Sequence, residues 1–175
     1  MRAFRLFALP LAAAILTGLA KIVAIPSTAD AAQTVSFRED FMPGTVVIKY
    51  SQRRLYYVMG GGRAVTYPVG VARAGKAWFG SRYIDSKRIK PAWAPPAEVK
   101  RDNPRLPNVI AGGSPSNPMG VAALTLSGGE YAIHGTNVPG SVGGFVSYGC
   151  IRMLNADIMD LFDRVSYGTR VVVTR

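Results

Sequence analysis

The chain contains one histidine, His134, and one cysteine, Cys150, which lie sixteen positions apart. The segment between them is rich in glycine, so it can fold back compactly and bring its two ends together. An imidazole within hydrogen-bond reach of a thiol can activate it, because the thiolate is the reactive species and a neighbouring imidazolium favours it. The pair therefore predicts nucleophilic catalysis by Cys150, with His134 as its base.

Two other interpretations of this pair remain open from spacing alone. Cys150 can be a small residue of the hydrophobic core, since free cysteines are often buried and inert. Alternatively, the pair can belong to a zinc site, which would need its remaining ligands from aspartate or glutamate. A lone cysteine forms no intramolecular disulfide and is a liability in an oxidising compartment. It is therefore expected to be either buried or retained for its reactivity.

A longer pattern surrounds the pair. Residues 133–137 read IHGTN, Gly143 follows, and residues 147–153 read SYGCIRM. This pattern resembles the active-site signature of the L,D-transpeptidases, the YkuD-like family: a His-Gly segment, a glycine-containing loop, and Ser-His-Gly-Cys with an Ile- or Val-Arg-Met tail. Residues 117–120, NPMG, resemble an Asn-Pro-Leu-Gly element found upstream in many members. The resemblance covers residues 115–175.

One position departs from the family pattern. Tyr148 stands where the family usually has histidine before Gly-Cys. The resemblance implies that the base is the upstream histidine, which matches His134, so the chain retains it. The resemblance also implies that the backbone carbonyl of Gly135 holds the imidazole tautomer.

Further roles follow from the resemblance and from the residue types. The backbone N–H groups of Tyr148, Gly149 and Cys150 are expected to form an oxyanion hole, and Gly149 permits backbone angles that a side chain would hinder. Ser147 is expected to support the turn by local hydrogen bonds. Arg152 either binds a substrate carboxylate or forms a structural ion pair, and the ion pair is the favoured interpretation.

The resemblance implies a defined reaction on peptidoglycan stem peptides. Cys150 would attack the bond between the third stem residue, a diamino acid, and the terminal D-Ala, which leaves. An amine of another stem would resolve the thioester to a 3–3 cross-link, an amine of an outer-membrane protein or lipoprotein would give protein anchoring, and water would give carboxypeptidase activity. No metal or organic cofactor is implied.

The elements around these motifs predict a mainly β fold. Residues 45–50, 54–59 and 63–69 read as an antiparallel meander with a glycine turn at 60–62, and three further strands are expected at 121–126, 131–134 and 170–174. Asn155 resembles the N-cap of a helix in the C-terminal half. That helix presents one apolar stripe, formed by Ile158, Leu161, Phe162 and Val165.

Residues 70–120 break this regularity. Seven of the twelve prolines lie between positions 91 and 118, so the segment is expected to be one long irregular excursion over the sheet. Together with the strands and the helix, it predicts a single sandwich-like L,D-transpeptidase catalytic domain.

The N-terminus predicts export. Basic residues, an apolar run and a small-residue exit occur in order within residues 1–31, the pattern of a signal peptide or of an uncleaved N-terminal anchor. A short linker is expected at 32–44 and the catalytic domain at 45–175. The predicted location is the periplasm or cell wall.

The charge of the chain is strongly positive. It is +11 in total, and removing residues 1–31 takes away three basic residues and one acidic residue, which leaves +9. Because an exported protein rarely meets nucleic acid, carboxylate-bearing peptides and anionic wall polymers are the expected partners. One hypothesis is that Lys87, Arg88 and Lys90 collect stem carboxylates; a merely solvated basic face is the alternative.

Two competing functions are weaker. A sortase-like transpeptidase is also β-rich and exported, but it has a far larger separation between histidine and cysteine. A non-catalytic module that binds or anchors to the wall would keep the fold without turnover, and Tyr148 makes it worth considering.

Overall fold

The structure, a computed structural model, describes residues 32–129 and 131–175. Within these residues the chain forms eleven β-strands and two α-helices. The fold is mainly β, as the sequence predicts. The predicted signal peptide or anchor of residues 1–31 lies outside the described residues, and both described helices are too short to span a bilayer.

The first four strands form the antiparallel part of the sheet: β1 (Gln33–Ser36), β2 (Val46–Lys49), β3 (Arg54–Gly60) and β4 (Arg63–Pro68). β3 pairs with β2 on one side and β4 on the other, which confirms the predicted meander. Gly61 and Gly62 have positive φ angles in the turn between β3 and β4. β1 pairs with β4 and lies within residues 32–44, where the sequence suggested a linker.

One long strand, β6 (Gly80–Ile89), joins the two halves of the sheet. Its first residues pair with β11 (Arg170–Thr174), and its later residues pair with β7 (Ala122–Leu126) after a register shift between Ile84 and Ser86. β11 pairs in parallel with β2 on its other side. Because β6 belongs to both halves, it connects the meander to the strands that carry the site.

Strand β6 corrects the prediction that residues 70–120 form one irregular excursion. Ile84 is the one buried residue among the ten of β6, so the strand lacks the alternation of apolar residues that reveals a strand in a sequence. Hydrogen bonds to β11 and β7, on its two sides, hold the segment as a strand although its residue types do not indicate one. The longest irregular part is residues 90–121, here called the arm, which contains the short helix α1 (Ala97–Asp102).

The remaining strands are short: β5 (Val71–Ala72), β8 (Ala132–His134), β9 (Phe145–Ser147) and β10 (Ile151–Arg152). β8 pairs with β7 in antiparallel fashion and with β10 in parallel, so that Arg152 lies opposite His134. β9 pairs with β5 and leads into the turn before β10. The end of β8 and the start of β10 are therefore held side by side.

Helix α2 (Asn155–Arg164) packs against β7 and β8. Ile158, Leu161 and Val165 are buried and Phe162 is half-buried, which confirms the predicted apolar stripe. They join a hydrophobic core whose fully buried members come from both halves of the sheet, among them Val46, Ile48, Leu55, Leu124, Leu126 and Ile133.

Asn155 does not act as the predicted N-cap. The helix begins at Asn155 itself, Leu154 is the N-cap residue, and no side chain caps the helix. The Asn155 Oδ1 atom instead accepts hydrogen bonds from the backbone N–H of Thr136, at 2.9 Å, and of Val121, at 3.4 Å. The side chain therefore ties the segment that follows His134 to the end of the arm.

The central position of β6 can be tested with two isoleucines of the same strand. Ile84 is 1% exposed and Ile89 is 52% exposed. We expect Ile84→Ala to lower the free energy of unfolding by about 2–5 kcal/mol, because it leaves a cavity in the core. The matched control Ile89→Ala should change it by less than about 0.5 kcal/mol. Urea unfolding measures both, and equal effects would contradict the assignment of β6.

Candidate active site

A cavity of about 190 Å³ opens where β8 ends and β10 begins. Both His134 and Cys150 line it, so the structure brings the two predicted residues together in one site. Its other walls come from the strands and turns around Cys150 and from the arm. The first group is Tyr131, Val146, Ser147, Tyr148 and Arg152, and the second is Trp93, Pro96, Glu98, Val99, Pro118 and Met119.

His134 is the last residue of β8 and is buried. Its Nδ1 atom lies 2.6 Å from the backbone carbonyl oxygen of Gly135. Because a carbonyl can only accept, this contact places a proton on Nδ1 and leaves Nε2 as the basic nitrogen. Burial and, to a smaller extent, the positive charge of Arg152 lower the pKa of His134 from 6.5 to about 4, against the opposing effect of hydrogen bonds to the Gly135 and Pro118 backbone. The imidazole is therefore neutral at pH 7 and able to accept a proton.

Cys150 is half-buried and immediately precedes β10. Because side chains alternate along a strand, Cys150 lies on the same face as Arg152, and Arg152 is the partner of His134 in the parallel register. The register thus directs the thiol and the imidazole to one side of the sheet.

Ser147 organises the turn that carries Cys150. Its hydroxyl oxygen accepts a hydrogen bond from the Gly149 N–H at 3.1 Å, and its hydroxyl donates to the Cys150 carbonyl at 2.5 Å. The Gly149 N–H is therefore already engaged. Gly149 supplies one of the three amides that the sequence suggested for an oxyanion hole, and the Ser147 hydroxyl holds it within the turn.

Gly149 is required by the backbone and by its neighbours. Its φ angle is +134°, and a Cβ atom there would lie 2.1 Å from a ring carbon of Tyr131. The Gly149 carbonyl accepts a hydrogen bond of 2.9 Å from the Trp78 indole N–H, and Trp78 stacks on Tyr131 with ring centroids 5.4 Å apart. The guanidinium of Arg82 lies 4.9 Å from both ring centroids.

This aromatic support was missed by sequence reasoning. Trp78 lies in the segment that was predicted to be irregular, and Tyr131 was predicted only to begin a short strand. The presence of tryptophan in a basic, proline-rich segment was the available signal that something packs there.

Tyr148 points toward the arm. Its hydroxyl donates to Asp102 Oδ2 at 2.7 Å, and the guanidinium of Arg73 lies 3.7 Å from its ring centroid. Arg73 also bonds Asp102 Oδ2 at 2.9 Å. Hydrogen bonds from Tyr148 and Arg73 lower the pKa of Asp102, whereas the bond to Asp102 raises the pKa of Tyr148. Tyr148, which stands where the resembled family usually has histidine, therefore links the turn before β10 to the end of α1.

Arg152 does not form the ion pair that we favoured from the sequence. Within residues 32–129 and 131–175 its guanidinium contacts no carboxylate; its Nη1 donates to the Ser141 hydroxyl at 3.0 Å, and its buried Nε has no partner. Arg152 lines the cavity beside Cys150. It contributes a positive charge to the cavity, and no described acidic side chain forms an ion pair with it.

The three basic residues proposed to collect carboxylates do not line this cavity. The Lys87 ammonium donates to the carbonyls of Phe162 and Val165 at the end of α2, at 2.6 and 2.7 Å. Arg88 contacts the Ser86 hydroxyl, and Lys90 lines a separate cavity. The structure therefore places none of the three at the cavity that holds Cys150, and the collection of carboxylates by these residues stays a prediction.

A model of the L,D-transpeptidase catalytic domain, the YkuD family, matches residues 43–173. The chain belongs to the L,D-transpeptidase family. It is 39% identical over 137 residues to the probable L,D-transpeptidase ErfK/SrfK of Salmonella typhimurium, covering 73% of this chain and 43% of that protein. It is 49% identical over 83 residues to the putative L,D-transpeptidase YqjB of Bacillus subtilis, covering 43% of this chain and 47% of that protein. The chain spans less than half the length of these relatives.

Solved structures of L,D-transpeptidases share the fold. The catalytic domain from Enterococcus faecium is 15% identical with a TM-score of 0.59, covering 78% of this chain and 100% of that chain. L,D-transpeptidase 3 from Mycobacterium tuberculosis is 17% identical with a TM-score of 0.57, covering 75% of this chain and 60% of that chain. The predicted L,D-transpeptidase fold is confirmed.

Burial of His134 makes the stability of this L,D-transpeptidase domain depend on pH. The pKa of His134 falls from 6.5 to about 4 on folding, so the unfolded chain binds a proton more readily than the folded one. Stability that is present above pH 6.5 is lost as the pH falls toward 4. Between pH 7 and 5 we expect a loss of about 2 kcal/mol from this group. Urea unfolding of the wild type and of His134→Gln at several pH values measures it. The free energy of unfolding of the variant should fall less steeply between pH 7 and 5, and an equal fall in both proteins would contradict the prediction.

Gly149 should tolerate no side chain. We expect Gly149→Ala to lower the free energy of unfolding by about 2–4 kcal/mol, because the Cβ collides with Tyr131 and the backbone is strained at positive φ. Gly140 lies in the neighbouring loop, between β8 and β9, with nothing within 4 Å of an added Cβ, so Gly140→Ala is the matched control. Thermal or urea unfolding compares them, and equal stability would refute the packing described at Gly149.

Proposed function

We propose that this chain is a peptidoglycan L,D-transpeptidase in which Cys150 attacks the stem tetrapeptide between the diamino acid and the terminal D-Ala. The observation that carries the proposal is the convergence of His134 and Cys150 on one cavity, in a domain that belongs to the L,D-transpeptidase family. The exported location, in the periplasm or cell wall, rests on the N-terminal sequence.

The geometry supports a cysteine acyl-transfer mechanism. The neutral imidazole of His134 accepts the thiol proton at Nε2 as the sulfur attacks the carbonyl carbon. The amides of Tyr148 and Cys150 donate to the oxyanion, and each such donor is worth about 2.7–4 kcal/mol of barrier. The protonated imidazole then gives its proton to the leaving nitrogen of D-Ala, which leaves a thioester on Cys150.

Resolution of the thioester reverses these roles. The incoming amine attacks the thioester carbonyl, His134 removes its proton, and the Cys150 thiol is regenerated. An amine of a second stem gives a 3–3 cross-link, an amine of an outer-membrane protein or lipoprotein gives anchoring, and water gives carboxypeptidase activity. The described residues contain no group of three or more His, Cys, Asp and Glu side chains that could hold a metal.

Arg152 supports substrate binding in this mechanism. Its positive charge has no described acidic partner and lies in the cavity beside Cys150. The carboxylate of the terminal D-Ala is a partner of matching charge next to the scissile bond, and a guanidinium can bind a carboxylate through two hydrogen bonds. Arg152 would then hold the leaving end of the donor.

Intact-mass spectrometry of the protein with a disaccharide-tetrapeptide tests the proposal, with Cys150→Ala as the control. We expect a transient adduct equal in mass to the donor minus D-Ala, and cross-linked dimers that accumulate only with the wild type. The activity should survive metal chelators. Absence of both the adduct and D-Ala release, with retained binding of wall fragments, would favour a non-catalytic wall-binding module instead.

A further inference from the structure

The catalytic cavity carries one carboxylate among its described lining residues. Glu98, from the first turn of α1, lines the same cavity as Cys150 and Arg152. His134 is neutral, so the cavity presents a negative group on the arm and a positive group on β10. A site with this arrangement is complementary to a substrate that carries both an ammonium and a carboxylate.

Glu98 already holds an ammonium group. The Lys76 ammonium forms an ion pair with Glu98 Oε1, and Arg101 Nη2 lies 3.4 Å from the same oxygen. The Glu98 and Lys76 side chains are each 32% exposed, so water reaches the pair. The hydrogen bond from Lys76 lowers the pKa of Glu98, which keeps the carboxylate ionised near neutral pH.

We propose that Glu98 binds the side-chain ammonium of a stem-peptide diamino acid, in place of Lys76. The inference rests on the proposed function. Lys76 presents the chemical group that such a side chain also carries, a primary ammonium at the end of an aliphatic chain. Exchange of one ammonium for another leaves Glu98 with a cationic partner, and partial exposure keeps the cost of breaking the Lys76 pair small.

Two ammonium groups meet the enzyme during the reaction. One belongs to the diamino acid of the donor, next to the bond that Cys150 attacks, and the other belongs to the acceptor before it loses a proton and attacks. Both are primary ammonium groups that Glu98 could bind. The donor binds before the thioester forms and the acceptor binds afterwards, so the two can be tested separately.

A purely structural role for the ion pair makes a different prediction. Lys76 and Glu98 also tie the loop before β6 to α1, and breaking this tie from either side would have the same effect. Recognition predicts opposite effects, because Glu98→Gln removes the binding group whereas Lys76→Met removes its competitor. Glu39, which pairs with Lys49 on β2 and does not line the cavity, provides the matched control Glu39→Gln.

The donor is tested first by binding, in the Cys150→Ala background so that no turnover occurs. The probes are a stem tetrapeptide with lysine as its third residue and the same peptide with that lysine Nε-acetylated. We expect Glu98→Gln to weaken binding of the lysine peptide about three- to tenfold and to leave the acetylated peptide unchanged. Lys76→Met should strengthen binding of the lysine peptide, and Glu39→Gln should have no effect.

The acceptor is tested on the thioester formed from the acetylated donor. Its resolution by a lysine-containing tripeptide is compared with resolution by hydroxylamine, which is uncharged at neutral pH. Acceptor recognition predicts that Glu98→Gln slows the tripeptide about three- to tenfold and not hydroxylamine.

The proposal is overturned if neither arm depends on Glu98, or if Glu98→Gln and Lys76→Met change binding and resolution in the same direction. If the wild type releases no D-Ala but binding of the lysine peptide still depends on Glu98, the proposed reaction fails and the ammonium site stands.

Discussion

The parallel pairing of β8 with β10 is the constraint on which the site depends. Both strands are very short, so the register is held by contacts outside them. The Met153 N–H donates to the His134 carbonyl at 2.8 Å, and Gly70 and Arg152 exchange two backbone hydrogen bonds of 2.7 and 2.8 Å. A slip of one residue would turn Cys150 to the opposite face of the sheet, away from the imidazole. The buried core and the Asn155 side chain prevent that slip by fixing the segments on either side.

The sequence was sufficient to predict features that depend on a residue type with few roles in proteins or on a periodic pattern. A single histidine and a single cysteine inside a long composite motif located the cavity, and alternation and helical spacing located the meander and α2. It was insufficient where a residue is placed by its neighbours. β6 has only one buried side chain, so its sequence lacks the alternating apolar pattern of a strand. Pairing with β11 and β7 makes it a strand. Asn155 has the residue type of a cap, yet its amide oxygen binds backbone groups 19 and 34 residues away in sequence.

The charged residues show the same limit. From the sequence, Lys87 and Arg152 are basic residues near motifs, and nothing distinguishes a partner in the chain from a partner in the substrate. In the structure Lys87 satisfies carbonyls at the end of α2, whereas Arg152 remains without a described acidic partner in the cavity. Composition gives the net charge but does not indicate which cationic side chains are already bonded to other groups of the protein.

Helix α1 contributes no buried residue, although it forms one wall of the cavity. Polar contacts at its two ends, through Glu98 and through Asp102, connect it to the β5–β6 loop and to Tyr148. Contacts between exposed charges weaken as ions screen them, whereas the buried strands that hold His134 and Cys150 are insensitive to screening. The cavity thus has a floor of buried strands and a wall whose attachment weakens as ionic strength rises, so the ionic strength of the medium sets how firmly the cavity is enclosed.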